Sequence, residues 1–306
     1  MRYFKTLGIV LLCGLASAGV SAAERIEATY NFIWNGLVVF TAETVVERDT
    51  VSYAVQMDVR TRGLMRLFSK GQGHMVAEGT LGPDGSYTAR RFLSEGRWSG
   101  DDYRKEIFFL EDGSFSHWER DWPEEWLEDI EREPVPEDMM RGPDGLSTVM
   151  AFMLGQSVLE NVEEPLKHRV FEGDHVTEVG IICAVEDGSI KESRHSPMSG
   201  AARKCWFDSK TIAGEVIETE KLKEKRLREE EKARKKAERY RKRHQNDDDE
   251  DDEEGENDPD GLPIWFQEVK ELGFALPVRA GFNTGWGKVR MYLKELKTSD
   301  GLHLEP

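Results

Sequence analysis

Cysteine is scarce in this chain of 306 residues. There are three, and Cys13 lies inside an N-terminal apolar run. Histidine is scattered singly at positions 74, 117, 168, 175, 195, 244 and 303, without the HExxH or CxxC-with-His spacing that holds zinc. The sequence also lacks a GxSxG elbow, a Walker loop and a GxGxxG turn. The stretch nearest a calcium loop, Glu256-Asn257-Asp258-Pro259-Asp260-Gly261 running on to Gln267, starts with the wrong acid and ends without the bidentate Glu. These absences leave no cofactor, no metal ligand set and no catalytic residue to name. The chain reads as a binder or interaction protein, with a hydrolase lacking a recognisable motif as the remoter reading. Positive charge is short too. Against 59 Asp and Glu stand 42 Lys and Arg, a net of −17. That balance disfavours nucleic acid, whose phosphates need cationic partners, and tight docking on anionic lipid.

Long hydrophobic runs are confined to the N-terminus. Met1-Arg2-Tyr3-Phe4-Lys5 is a short basic segment, Leu7 to Val20 is apolar, and Ser21-Ala22-Ala23 fits a small-x-small cleavage site. This is the pattern of a secretory signal peptide over residues 1–23, too short for a comfortable membrane span. Leu11 and Leu12 precede Cys13 where lipid attachment needs a small residue. The expected location is the periplasm of a Gram-negative bacterium, with no transmembrane segment. In that oxidising compartment the two remaining cysteines, Cys183 and Cys205, are expected to pair. They lie in two strand-like runs separated by a polar loop, so the bond would staple a long hairpin and add about 3 kcal/mol.

The body of the chain reads as strands. Ala28 to Trp34 alternates, Asn35-Gly36 signals a tight hairpin turn, and Leu37 to Val46 follows. Val51 to Arg60, Leu64 to Lys70, His74 to Thr80, Tyr87 to Leu93, Tyr103 to Leu110 and Ser114 to Trp118 continue the pattern. So do Lys167 to Phe171 and His175 to Val185. Cys205 to Lys210 and Thr211 to Glu218 read as a further pair, and Leu262 to Val269, Leu276 to Asn283 and Trp286 to Leu296 as the last three strands. Frequent turns and no alternating helices argue against a parallel sheet. The fold expected is mainly β: a curled antiparallel sheet, a β-roll, half-barrel or flattened barrel, with one central amphipathic helix.

That helix is Gly145 to Leu154. Asp144 is placed to cap it, Leu146, Val149, Met150 and Met153 share one face by spacing, and Gly155 is placed to end it. The plain reading is a plug for the curved sheet. The functional reading makes those four residues one wall of a ligand cavity, with an adaptable Met surface. Aromatics on strands, including Trp34, Phe40, Phe108, Trp206 and Trp265, would supply more of such a cavity or simply fill a core.

Two segments depart from the pattern. Residues 119–138 carry ten acids and two arginines with Trp122, Trp126 and three prolines. They read as a solvated loop with the tryptophans tucked on the sheet, or as a lid. Residues 219–260 read as a charged insertion in one β-rich domain spanning 24–306. Within it, 221–244 holds thirteen Lys or Arg and five Glu, a helix-favouring composition with pairs such as Glu224–Arg228 and Glu231–Lys235. Ten acids follow in residues 247–258. The insertion is either an exposed helical or disordered arm folding back on itself, or an arm for a charged envelope partner.

Tyr30, Gly36, Tyr53, Gly63, Gly79 and Pro83, then Asp144, Leu146, Ser147, Val170 and Gly173, then Trp265, Pro277-Val278-Arg279, Gly287 and Leu293, together resemble an exported bacterial family called domain of unknown function 3108. The resemblance covers most of the chain outside 119–138 and 221–258. It implies a periplasmic β-rich protein, a curled sheet around a helix, similar in shape to envelope carriers that shelter acyl chains. The function expected is a non-enzymatic binder of a lipid, lipoprotein or other apolar ligand at Leu146, Val149, Met150 and Met153, with Arg279 either pairing a buried carboxylate or holding an anionic headgroup. The alternative is an envelope scaffold that recruits a protein partner through the charged arm and acidic loop.

Overall fold

The structure, a computed structural model, describes residues 24–67, 70–83, 85–127, 131–154, 164–217, 223–224, 227–228, 231–232, 235, 261–269, 272–284 and 287–306. The expected signal peptide, Gly155, the acidic run 247–258 and Trp286 therefore lie outside the described residues.

The chain opens as a long meander: β1 (Glu24–Trp34), β2 (Leu37–Arg48), β3 (Ser52–Thr61), β4 (Gly71–Leu81), β5 (Tyr87–Trp98), β6 (Asp101–Phe109) and β7 (Phe115–Asp121). Two helices follow, α1 (Glu124–Leu127) and α2 (Gly145–Leu154). Then come β8 (Leu166–Phe171), β9 (Val176–Cys183), β10 (Gly188–Ile190), β11 (Gly200–Ala213), β12 (Leu262–Val269), β13 (Phe274–Thr284), β14 (Gly287–Thr298) and β15 (His303–Leu304). All strands join one antiparallel sheet in the order β7-β6-β5-β4-β3-β2-β1-β14-β13-β12-β11-β9-β8, with β10 on β11 and β15 on β14. The first hairpin turns at Asn35 (φ 48°) and Gly36 (φ 74°), two consecutive positive φ values that match the right-handed twist of the strands they join.

Alternation sends one face inward. On β1, Ile26, Ala28 and Tyr30 are buried while Arg25, Glu27 and Thr29 turn outward. Rows of inward residues align across the ladder, and one runs Val46–Val55–Ala77–Phe92–Ile107 from β2 to β6. Each large side chain buried this way stabilises the fold by about 1.5–3 kcal/mol. Helix α2 lies inside the curl and touches both walls, β3, β4 and β5 on one side and β8 and β13 on the other.

The sheet does not close by backbone pairing, because its two end strands, β7 and β8, share no ladder. Side chains span the seam instead. Phe115 on β7 and Phe109 on β6 meet Phe171 edge-on at 5.2 and 6.3 Å. Lys105 on β6 reaches Glu172 at 2.8 Å, and Arg120 on β7 lies 3.9 Å from Asp174. The chain from 131 to 142 straps this region. Ile217 and Glu133 amides donate to Glu131 and Glu215 carbonyls, Val135 is buried, and the Gly142 amide donates to Gly113.

Several sequence expectations are corrected. Leu64 to Lys70 is not a strand: Gly63–Leu67 is a 3-10 turn that buries Met65 and exposes Leu64. A short apolar run cannot be told strand from helix by periodicity alone. Residues 205–218 are not a hairpin, since β11 runs unbroken to Ala213 and ends at Gly214 (φ 71°). The polar Asp208-Ser209-Lys210 resembles a turn but continues the strand, paired with β9 and exposed to solvent. Residues 119–138 are less of a loop than their acids suggest, because β7 extends to Asp121 and Arg132 bridges Val216. The tryptophans do tuck in: Trp126 packs on Tyr103 at 5.8 Å and Trp122 under the Arg120 guanidinium at 5.2 Å. Residues 223–224, 227–228, 231–232 and 235 are helical, and both anticipated pairs form there, Glu224–Arg228 and Glu231–Lys235, exposed to solvent.

Candidate functional site

Strand register builds one wall of an apolar cleft. Met57, Met75, Ser94 and Lys105 are successive cross-strand neighbours on β3, β4, β5 and β6, and all four line it with Phe92. Val170, Thr177 and Val179 from the β8–β9 hairpin and Phe207 from β11 form the opposite wall. Gly145, Leu146, Thr148, Val149 and Phe152 of α2 form the floor. The cavity measures about 540 Å³, within the usual range for small-molecule sites. One end is polar, with Lys105, Glu172 and His175. The other, at Val179, Phe152 and Phe207, is uncharged.

The start of α2 is held by a buried polar chain. The Ser147 amide donates to Asp144 Oδ1 at 2.9 Å, which is the expected cap. The Ser147 hydroxyl donates to Asp144 Oδ2 at 2.6 Å. Its single proton is thereby used, so the Tyr53 hydroxyl donates to Ser147 Oγ at 2.9 Å. Thr148 Oγ1 donates to the Asp144 carbonyl at 2.9 Å. Asp144 has no exposed surface. Burial pushes its carboxyl up to about 6, the Glu172 charge adds to this, and the Ser147 hydrogen bonds pull the other way. Burial also raises both tyrosines nearby, Tyr53 and Tyr87, the latter to about 12. Gly79 stands opposite Tyr53 in the ladder because nothing larger fits: a Cβ there would meet the Tyr53 ring at 2.5 Å and the Thr88 carbonyl oxygen closer still. Tyr87 and His168 (Nδ1) lie 3.2 Å apart, and Phe152 meets the His168 ring edge-on at 5.0 Å. Burial lowers His168.

The structure divides the residues singled out from sequence. Leu146 lines the cleft and is buried, whereas Val149 lines it but is 39% exposed. Met150, one turn on from Leu146, is buried in the main core and does not line the cleft. The Met153 side chain lies outside the described residues. Arg279 is far from this group in the ladder: it sits between Trp265 (5.2 Å) and Tyr292 (5.7 Å) beside a small hollow of about 110 Å³ lined by Lys191 and Arg290. It does not line the cleft. Trp34, Phe40, Phe108, Trp206 and Trp265 do not line the cleft; Phe92, Phe152 and Phe207 do. His168 pairs with Val179 in the ladder, and His175 contacts Asp174 at 2.7 Å. Cys183 and Cys205 are directly cross-strand and disulfide-bonded.

Sequence reading missed Lys105, Glu172, Phe152 and the Tyr53–Ser147 bond. The last had a signal, a Ser three residues after a capping Asp. It also missed an exposed group, Glu295, His303 and Glu305, whose ligand atoms lie within 4.8 Å of one another. A larger hollow of about 650 Å³ on the outer face has walls of mutually paired polar groups such as Arg97–Asp102 (2.6 Å) and His74–Asp58 (3.2 Å). Among the described residues no helix is long and apolar enough to cross a membrane.

No family model matches the chain, and neither does any curated protein. Among solved structures it is similar to a beta-barrel-like protein of domain of unknown function DUF1849 from Brucella abortus, with 10% identity and a TM-score of 0.40, over 91% of this chain and 98% of that one.

Proposed function

We propose that the seam cleft binds a single acyl chain or similar apolar ligand, and that the protein is a binder or carrier of such ligands in the bacterial periplasm. The observation that carries this reading is the composition of the cleft walls. Met57, Met75, Phe92, Val149, Phe152, Val179 and Phe207 converge on one cavity with charged groups only at one end. Paired methionines suit a flexible chain, because their unbranched thioethers adjust to its shape. The half-exposed Val149 fits the same reading, since covering it would remove apolar surface from water at roughly 25 cal/mol per Å². The signal-peptide pattern of residues 1–23 supports the location. The resemblance to the domain of unknown function 3108 family is consistent with an envelope role, and four of its residues, Tyr53, Gly79, Asp144 and Ser147, meet at the start of α2.

The test is native mass spectrometry with lipid extraction on protein purified from periplasm without detergent. A stoichiometric acyl-containing adduct, lost on denaturation, is the expected result. A clean protein mass, together with no binding of added dodecanoate or dodecanol, overturns the proposal.

A further inference from the structure

We infer that the ligand carries an anionic head, and that Lys105 binds this head at the place the Glu172 carboxylate now occupies. This rests on the cleft reading above and adds a charge and a direction to it.

Lys105 follows Met57, Met75 and Ser94 in one cross-strand row, with Arg120 of β7 beyond it, so its stem lies along the cleft wall. The side chain is only 13% exposed. Its ammonium lies 5.5 Å from the centroid of Phe92, another wall residue. Two of its three protons go to Glu172, one to Oε2 at 2.8 Å and one to the backbone carbonyl at 3.2 Å. The backbone contact fixes the amine at the seam whatever the carboxylate does. The other Glu172 oxygen faces the first turn of α2: a Cβ added at Gly145 would lie 2.9 Å from Oε1. Glu172 thus places a carboxylate between an ammonium and a helix start, where a negative charge is favoured.

The Glu172 charge also raises the buried Asp144 carboxyl, as a ligand anion in the same place would. Arg120 and Arg132 lie across the seam, 3.9 and 3.6 Å from Asp174. Three fixed cations, Lys105, Arg120 and Arg132, therefore face Glu172 and Asp174 at this end, with His175 beside them. A ligand carboxylate or phosphate arriving here would displace the carboxylate of Glu172, whose side chain, 23% exposed at the half-buried β8–β9 turn, would swing outward. The tail would then run along Met57 and Met75 toward Phe152 and Phe207. A neutral head gains only an ordinary hydrogen bond from Lys105, and a cationic head is repelled by it.

Calorimetric titration of the purified protein with dodecanoate, dodecyl phosphate, dodecanol and dodecylammonium tests this. Both anions are expected to bind at least tenfold more tightly than the alcohol, and the ammonium weakest. Lys105→Gln should abolish the preference for anions and Lys105→Arg retain it. Glu172→Gln should tighten dodecanoate several-fold, an effect opposite to that of merely losing a seam contact. Equal binding of acid and alcohol, tighter binding of the ammonium, or no gain in Glu172→Gln overturns the inference while leaving the cleft reading standing. Failure of every probe to bind defeats the cleft reading and this inference with it. The comparison of probes on the unaltered protein does not depend on any variant folding.

Discussion

Asp144→Asn isolates the electrostatics of the helix start. In the folded protein burial raises the Asp144 carboxyl from 3.8 to about 6. The folded state therefore holds this proton more tightly than the unfolded chain. Stability from this group is full below the unfolded value and falls as pH rises through the folded one. A shift of roughly two units corresponds to about 3 kcal/mol, so the ionised Asp144 costs about that much at neutral pH. Asparagine caps helices as well as aspartate does. Its oxygen can accept the Ser147 amide, and its amide can donate to Ser147 Oγ, whose proton would then turn to Tyr53. The substitution thus removes the charge and keeps the shape. Urea unfolding of both proteins from pH 4 to pH 8 gives the difference in stability at each pH, in which the other carboxylates cancel. The Asn variant should gain about 3 kcal/mol relative to the parent between pH 4 and pH 7. A flat difference would refute the claim that Asp144 is desolvated. A loss with rising pH would mean that Ser147 and the helix start stabilise the anion more than burial penalises it.

Other expectations follow from the same geometry. Gly79→Ala should cost about 2 kcal/mol or more in chemical denaturation, because the added methyl displaces the Tyr53 ring from Ser147. Tyr30→Phe should raise stability by about 1 kcal/mol, since the buried Tyr30 hydroxyl has no hydrogen-bond partner among the described residues; a loss of that size would reveal a hidden partner. Replacing both Cys183 and Cys205 by Ala should cost about 3 kcal/mol in urea while the far-ultraviolet dichroism keeps its β signature, because the ladder between β9 and β11 does not need the bond to form.

The features legible in sequence were those written in local pattern. The helix 145–154 and its Asp144 cap follow from spacing and a capping residue. The strands follow from alternation, and the Asn35-Gly36 turn from two residues that tolerate positive φ. The cleft was not legible, because it is made by register. Lys105 alternates like any residue on β6, and nothing nearby in sequence says that it will stand beside Ser94 and Met75 and across a seam from Glu172. Arg279 drew notice for its setting after Pro277-Val278, yet its ladder neighbours Trp265 and Tyr292 take it to another place. The helix itself misled in one respect. A helix packed on one sheet has one apolar face, but α2 touches two walls, so its apolar arc is wide. At about 100° per residue, Met150 turns to one wall and Val149 and Phe152 to the other, and Phe152 fell outside the single stripe that spacing suggested.

The most direct measurement of the central claim is methyl NMR on protein labelled at the methionine methyls, titrated with dodecanoate. Met57 and Met75 line the cleft, whereas Met65 is buried in the turn after β3 and Met198 lines the hollow beside Arg279. Saturable shifts at Met57 and Met75, with Met65 and Met198 unmoved, are expected. Shifts at Met198 instead, or none at Met57 and Met75, would contradict the account.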